Sequence, residues 1–330
     1  MRRVCTAILL ILTLLLAGCG QAQASVGAGF EATPVNNPVK PQSSGSYEES
    51  VPEAEPDEQP FVPYKAPPFE DSVFLRSRAE GNEQILVDVS SVQSGYVGVS
   101  GISESRLKFQ IIKDDVTYTY DLPSDGTPTI YPIQSGNGTY VMRAMENVVD
   151  TKYACIYSTE VEVALRDEFQ PYIRPSSYVN YKKDSKCVKK AAELAQQAPD
   201  ALGVVSAVYD FICETVVYDT YKAETVQSGY LPTPDETMKT GKGICFDYAS
   251  LAAAMLRSQG IPTKVIFGYV SPDDLYHAWN MFYTTETGWV TVSYKVDKNN
   301  WHRLDLTFSA NGADNEFIGN GENYADLFCY

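Results

Sequence analysis

Gly241-Lys-Gly-Ile-Cys245-Phe-Asp-Tyr-Ala-Ser-Leu-Ala-Ala-Ala-Met-Leu-Arg-Ser-Gln-Gly260 reads as a glycine turn, a cysteine, and an apolar helix with a glycine stop. Tyr248, Leu251, Ala252, Met255 and Leu256 recur at the three-and-four spacing of one buried helix face. Gly260 and Pro262 end the helix, glycine because it accepts positive φ and proline because it cannot extend the hydrogen-bond ladder. Cys245 therefore falls at the helix N-terminus. There, unpaired backbone N–H groups and the positive end of the macrodipole favour a thiolate. The same N–H groups suit a developing oxyanion.

A reactive thiol needs a base, and the chain has only two histidines, His277 and His302. His277 opens a strand-like run, His277-Ala-Trp-Asn-Met-Phe-Tyr283. A base needs an orienting group, and Asp305-Leu-Thr-Phe308 supplies an aspartate on a further strand-like run, with Asp297 as its competitor. The order is cysteine at a helix start, histidine on a strand, aspartate on a later strand.

Taken together, Gly-x-Cys-x-Asp-Tyr-Ala at 243–249, Gly-Ile-Pro at 260–262, His-Ala-Trp at 277–279 and Asp-x-Thr-Phe at 305–308 resemble the transglutaminase-like superfamily. The likeness covers roughly residues 180–330. It lies with the bacterial branch, because Gly-Gln-Cys-Trp-Val-Phe is absent around Cys245. Leu306 stands where the family usually has proline after the aspartate, and Tyr294–Asn300 reads as an insertion. The resemblance implies an α+β fold, in which helices pack on an antiparallel sheet as a papain-like core. It also implies a catalytic triad of Cys245, His277 and Asp305. By that chemistry the thiolate attacks a peptide or glutamine-side-chain amide, and a thioester passes the acyl group to water or to an amine. Both outcomes stay open, and the expected partner is a peptide or protein of the cell envelope. A non-catalytic envelope scaffold that keeps the fold is the alternative.

The N-terminus sets the expected address. Arg2 and Arg3 precede an apolar run from Ala7 to Leu16, the length of a signal-peptide core and too short to span a bilayer. Leu16-Ala-Gly-Cys19 resembles a bacterial lipobox, which makes Cys19 the expected lipidation site and the membrane a partner through lipid. The formal charge is −16, and losing residues 1–18 removes Arg2 and Arg3 and makes the remainder more acidic still. Such an acidic chain lacks the basic stripe that nucleic acid requires. It is equally unsuited to electrostatic adhesion on an anionic bilayer. Residues 19–68 are rich in Pro, Ser and Glu, and read as a disordered spacer.

Between 69 and 167 the hydrophobic period becomes two. Leu107, Phe109 and Ile111 alternate with polar residues, as do Val116, Tyr118 and Tyr120, with Lys113-Asp-Asp115 as the hairpin turn. Tyr140, Met142 and Ala144 and then Val161, Val163 and Leu165 repeat the pattern. This predicts an all-β sandwich, immunoglobulin-like in size, before the domain at 168–330. Its expected role is a spacer or a wall of the active-site cleft, with a ligand-binding module as the alternative.

Helical spacing returns at Val188, Ala191, Ala192 and Ala195, and again at Val205, Val208, Ile212 and Val216, with Pro199 suited to a first helical turn. A long polar loop to about 234 follows, and it is expected near the cleft. After the cysteine helix, Thr263–Val270 predicts a strand. His277–Tyr283 and Trp289–Tyr294 predict a hairpin, and Trp301–Phe308 a last strand.

A lone cysteine on an apolar helix is ordinarily core packing, as Cys213 reads. Cys245 differs in standing at a helix start behind two glycines. His302 reads as structural, and Trp279 as packing beside the site. Cys155, Cys187, Cys213 and Cys329 allow three full pairings, none chosen by sequence. They lack metal-ligand spacing, and neither a P-loop nor Gly-x-Gly-x-x-Gly occurs, so no metal or cofactor is expected.

Overall fold

A computed structural model describes residues 60–270, 275–285, 287–292, 296–297, 300–301 and 324–330. Its first part is built from short strands that alternate as the sequence does. β1 (Glu80–Gly81), β2 (Ile85–Asp88), β3 (Tyr96–Gly101), β4 (Leu107–Lys113), β5 (Val116–Leu122), β6 (Thr129–Pro132), β7 (Gly138–Val149) and β8 (Lys152–Val163) form two four-stranded antiparallel sheets. Their orders are β1-β2-β3-β6 and β5-β4-β7-β8. Leu107, Phe109 and Ile111 face inward from β4, and Tyr140, Met142 and Ala144 from β7. Tyr131 of β6 joins the two sheets, its ring 5.5 Å from Phe109 and 4.6 Å from Tyr120. The β4–β5 turn is tight, with Lys113 opposite Val116 and Asp114 at φ 51°. Along β5, Tyr118 packs against the core part-buried, Tyr120 and Leu122 are buried in it, and Val116 at the turn is exposed.

The helical part opens with α1 (Lys186–Ala195) and α2 (Ala201–Thr215). Pro199 precedes the N-cap of α2 instead of occupying its first turn, because Asp200 takes the cap and accepts from the Gly203 N–H at 2.8 Å. β9 (Val217–Tyr218) follows. The stretch expected as one long loop contains α3 (Thr220–Thr225) and α4 (Pro234–Thr240). Asp219 caps the first, and Pro234 begins the second at a position that loses no hydrogen bond. β10 (Lys242–Gly243) pairs parallel with β9 and delivers the chain to α5 (Cys245–Ser258).

α5 is buried on every side from Phe246 to Ser258, where the sequence pattern had indicated a single face. The reason is its place in the layers: α1, α2 and α4 pack on it, and so do β11 (Thr263–Val270) and β12 (Leu275–Thr284). Ala249, Ala252, Ala253 and Ala254 supply the small surface that allows contact all round. Near its C-terminal end, the buried Arg257 guanidinium donates to the main-chain oxygens of Thr263, Arg174 and Tyr330 at 2.8, 3.0 and 3.0 Å. Burial brings its pKa down to about 10, and it sews α5 to three separate segments.

β13 (Gly288–Val292), β12, β11 and β16 (Tyr324–Cys329) form an antiparallel sheet in that order. β12 and β13 make the expected hairpin, closing at Thr284 opposite Gly288. β14 (Val296–Asp297) and β15 (Asn300–Trp301) pair as a small ribbon. The strand expected over Trp301–Phe308 lies, after Trp301, outside the described residues. β16 beside β11 is an element that the sequence analysis did not identify.

Within residues 60–68, assigned to the spacer on composition, Tyr64 and Pro67 contact the helical part. The Tyr64 N–H donates to Ala198 O at 2.7 Å, and its hydroxyl to Gln259 O at 3.0 Å. Pro67 covers Gly260, which sits at φ 76° where a Cβ would collide with the proline ring. Proline and tyrosine here provide apolar surface that the acidic stretch before them lacks. Gln59–Tyr330 is one compact unit, and its core runs continuously from the β1–β8 sheets to α5 and β12.

Candidate active site

The approach to Cys245 is fixed by its neighbours in sequence. Gly243 lies opposite Tyr218 in the β9–β10 pair, and Asp219 N–H donates to Gly243 O at 2.9 Å. A Cβ on Gly243 would stand 2.5 Å from that of Asp247, so glycine is what lets Asp247 fold back. Asp247 Oδ2 accepts the Ile244 N–H at 2.8 Å and locks the entry to the helix from inside. The N-cap residue, Ile244, has no side-chain acceptor, so the first-turn N–H groups of α5 receive no side-chain cap. Cys245 is the first residue of that turn, half-buried, at the positive end of a helix dipole.

Asp247 is itself fully buried. Lys222 Nζ meets its Oδ2 at 2.7 Å, and the Tyr230 hydroxyl donates to its Oδ1. Lys222 Nζ also reaches the Tyr230 oxygen at 2.6 Å. Burial first, and the carboxylate second, push the Tyr230 phenol above its ordinary pKa. An uncompensated aspartate two residues after the cysteine would oppose a thiolate; here a lysine ammonium offsets it.

His277 stands on β12 opposite Gly268 of β11 and is buried, its ring 6.2 Å from that of Trp279. Gly268 makes room for this arrangement, since a Cβ there would press on Trp279 and on the Ala325 carbonyl of β16. Asn280, three residues on, donates from Nδ2 to Ala249 O at 3.0 Å and to Lys264 O at 3.1 Å. That bond ties the histidine strand to the first turns of the cysteine helix.

Cys245 and His277 line one cavity of about 810 Å³. Part of its lining comes from β5, with Thr117, Thr119 and Asp121, so the first part of the chain borders the cavity. Another part is the loop after α3, including Gly229 and Tyr230. Aromatic rings fill much of the lining, and Tyr178 stacks on Tyr330 with centroids 4.0 Å apart. Tyr218 and Tyr276 both border the cavity; burial raises the pKa of each, and the nearby Cys245 adds to the rise. The structure therefore brings together two of the residues picked out in the sequence. Asp305 and Cys19 lie outside the described residues, as does His302. Asp297 falls on β14. The lysine and tyrosine that hold Asp247 escaped sequence reasoning; the only signal was that polar residues crowd the stretch from 219 to 236.

The five described cysteines after Cys19 are free thiols. Cys187 is buried, and burial followed by the adjacent Asp235 drives its thiol far above the ordinary range.

Residues 188–294 match a sequence model of the transglutaminase-like superfamily. Cytokinesis protein 3 of Schizosaccharomyces pombe is 26% identical over 159 residues, which cover 46% of this chain and 15% of that protein. The UPF0252 protein of Methanocaldococcus jannaschii is 30% identical over 77 residues, 22% of each chain. The chain thus spans less than a quarter of the length of these relatives. Among solved structures, a candidate cysteine protease from Cytophaga hutchinsonii is similar at TM-score 0.38 and 15% identity, over 76% of this chain and 73% of that one. Red sea bream transglutaminase is similar at TM-score 0.26 and 13% identity, over 60% and 47% of the two chains. Residues 188–294, with a cysteine at the head of α5 and a histidine on the adjoining strand, are thus similar to the transglutaminase-like superfamily.

Proposed function

We propose that the protein is a cysteine enzyme that attacks peptide or glutamine-side-chain amides through Cys245. The observation that carries this reading is that the half-buried Cys245, at an uncapped helix start, shares one cavity with His277. His277 takes the Cys245 proton, giving a thiolate and an imidazolium. Asp305 is the proposed orienter of that imidazole. The thiolate adds to the amide carbonyl, and the first-turn N–H groups of α5 receive the oxyanion. Collapse breaks the C–N bond, the leaving amine takes the proton from His277, and a thioester remains. Water or a second amine, deprotonated by His277, then attacks the thioester and releases Cys245. Lipidation of Cys19 would hold the reaction at the envelope surface.

The test is the pH dependence of Cys245 alkylation, located by peptide mapping, in the wild type and in His277→Ala. Fast labelling well below the free-thiol pKa of about 8.5, lost in the variant, is the expected result. Slow labelling that ignores the substitution would overturn the assignment and favour the scaffold reading.

A further inference from the structure

The face of the β11–β12 sheet that carries α5 runs on, toward the head of that helix, as an aromatic ledge. Asn280 of β12 bonds to Ala249 of α5, and about one helical turn nearer Cys245 the Phe246 ring meets Phe267 of β11 with centroids 4.8 Å apart. Tyr276 lies four residues before Asn280 and opposite Tyr269 of β11, while Phe328 of β16 lies opposite Phe267, so all these rings share the one face. Phe267 and Tyr276 stack at 6.1 Å, Tyr269 meets Tyr276 edge-on at 5.6 Å, and Phe328 reaches Tyr118 of β5 at 6.1 Å. Tyr276 and Phe328 both line the cavity that holds Cys245, yet they are 53% and 41% exposed. Apolar rings left open to water inside a concave site mark a ligand surface.

Charge narrows the ligand. Apart from His277 and Cys245, the charged side chains among the described lining residues are Lys108 and Asp121, and these are paired to each other at 2.9 Å. The chain as a whole carries −16. An anionic group on the ledge would meet a repelling field and no unmatched lysine or arginine. We propose that Tyr276 and Phe328 form a specificity subsite beside Cys245, which takes an uncharged aromatic group carried next to the amide under attack. The proposal rests on the reading of Cys245 as nucleophile and adds the class of substrate. A planar ring laid on the ledge removes apolar surface from water on both partners and adds ring–ring contact beyond that area. A saturated ring gains only the first of these, and a ring bearing a carboxylate loses much of it.

The experiment alkylates the full chain with four reagents that share one reacting carbon: iodoacetamide and its N-phenyl, N-cyclohexyl and N-(4-carboxyphenyl) derivatives. Rates at Cys245 are read by peptide mapping and divided by the rates with free cysteine. Cys155, exposed on β8, is the internal reference. At Cys245 the N-phenyl reagent is expected to react about tenfold faster than iodoacetamide, with the N-cyclohexyl reagent between them and the carboxyphenyl reagent showing no gain. At Cys155 the phenyl group is expected to gain nothing. Tyr276→Leu and Phe328→Leu each remove one ring, and each is expected to cut the phenyl advantage to about threefold or less. Ratios are read instead of absolute rates because Tyr276 adjoins His277, and Phe328→Leu keeps the test valid if Tyr276→Leu disturbs β12. A reactive Cys245 that prefers phenyl no more than cyclohexyl, a preference that survives in both variants, or one that is equal at Cys155 would overturn the subsite. Slow labelling by every reagent that His277→Ala leaves unchanged would instead overturn the nucleophile, so the two failures are distinguishable.

Discussion

The start of α1 and the start of α5 carry the same parts and put them to different ends. Each has a cysteine in the first turn and an aspartate accepting backbone N–H groups. At α1, Asp235 comes from α4 and takes the Lys186 and Cys187 N–H groups at 3.0 and 2.9 Å, and Cys187 is sealed in the core. At α5, Asp247 reaches back to the N–H before the helix, the first-turn groups are left uncapped, and Cys245 opens on a cavity with His277. A helix dipole acts on both thiols. Burial and a facing carboxylate overwhelm it at Cys187, whose thiol titrates far above the usual range. Position at a helix start thus does not make a nucleophile. The two sites differ in the placement of the neighbouring aspartate and in the exposure of the sulfur.

The largest expected effect breaks the comparison at the sulfur atoms. Cys245→Ala should lower any amide-cleaving or amine-incorporating rate at least about a thousandfold, since the residues of such a unit fail together. Cys187→Ala should leave that rate unchanged and cost about 1 kcal/mol of stability, measured by denaturant titration, for the small volume it vacates. Equal losses of activity would mean that the two helix starts are less different than their surroundings indicate.

A smaller effect tests the carboxylate of α5. Asp247 is fully buried, and Lys222, 27% exposed, is its cationic partner. Lys222→Met leaves the charge in place without its counterion. The expected cost is roughly 3 kcal/mol, at the lower end for a broken buried pair because the lysine side is partly solvated. A drop in the Cys245 labelling rate should accompany it, because the freed carboxylate then opposes the thiolate. Loss of stability with unchanged labelling would confine Asp247 to a structural part.

These assignments also mark what a linear reading reaches. Cys245 and His277 stand out as candidates because each announces itself locally, one behind glycines at a helix start and one at the head of an aromatic strand, and the structure places both on one cavity. Gly243 was part of the visible motif, yet its reason, clearance for Asp247, needed the folded chain. Lys222 and Tyr230 lie 25 and 17 residues from Asp247 in a stretch that reads only as polar loop. α3 and α4 are too short for periodicity to show and are held by caps and tertiary contacts. The full burial of α5 was hidden because alanine fits an exposed face and a tight interface equally well. β16 closes on β11 from the far end of the chain, a pairing for which local pattern gives no register.

The smallest effect sharpens the comparison at α1. Although its partial burial raises the Asp235 pKa, the Cys187 and Lys186 N–H groups outweigh that, and the carboxyl titrates below its usual value. A carboxylate whose folded pKa is depressed contributes stability that is fully present above its unfolded pKa, about 3.9, and disappears as pH falls through the folded value. Asp235→Ala should therefore cost about 1 kcal/mol at neutral pH, as for a lost helix cap. The difference from wild type should shrink as the pH is taken below about 4, because the wild-type carboxylate is then protonated too. Denaturant midpoints for the two proteins across that range measure it directly. A gap that persists in acid would show that Asp235 holds α1 by packing, not by charge, and the contrast with Asp247 would then rest on burial alone.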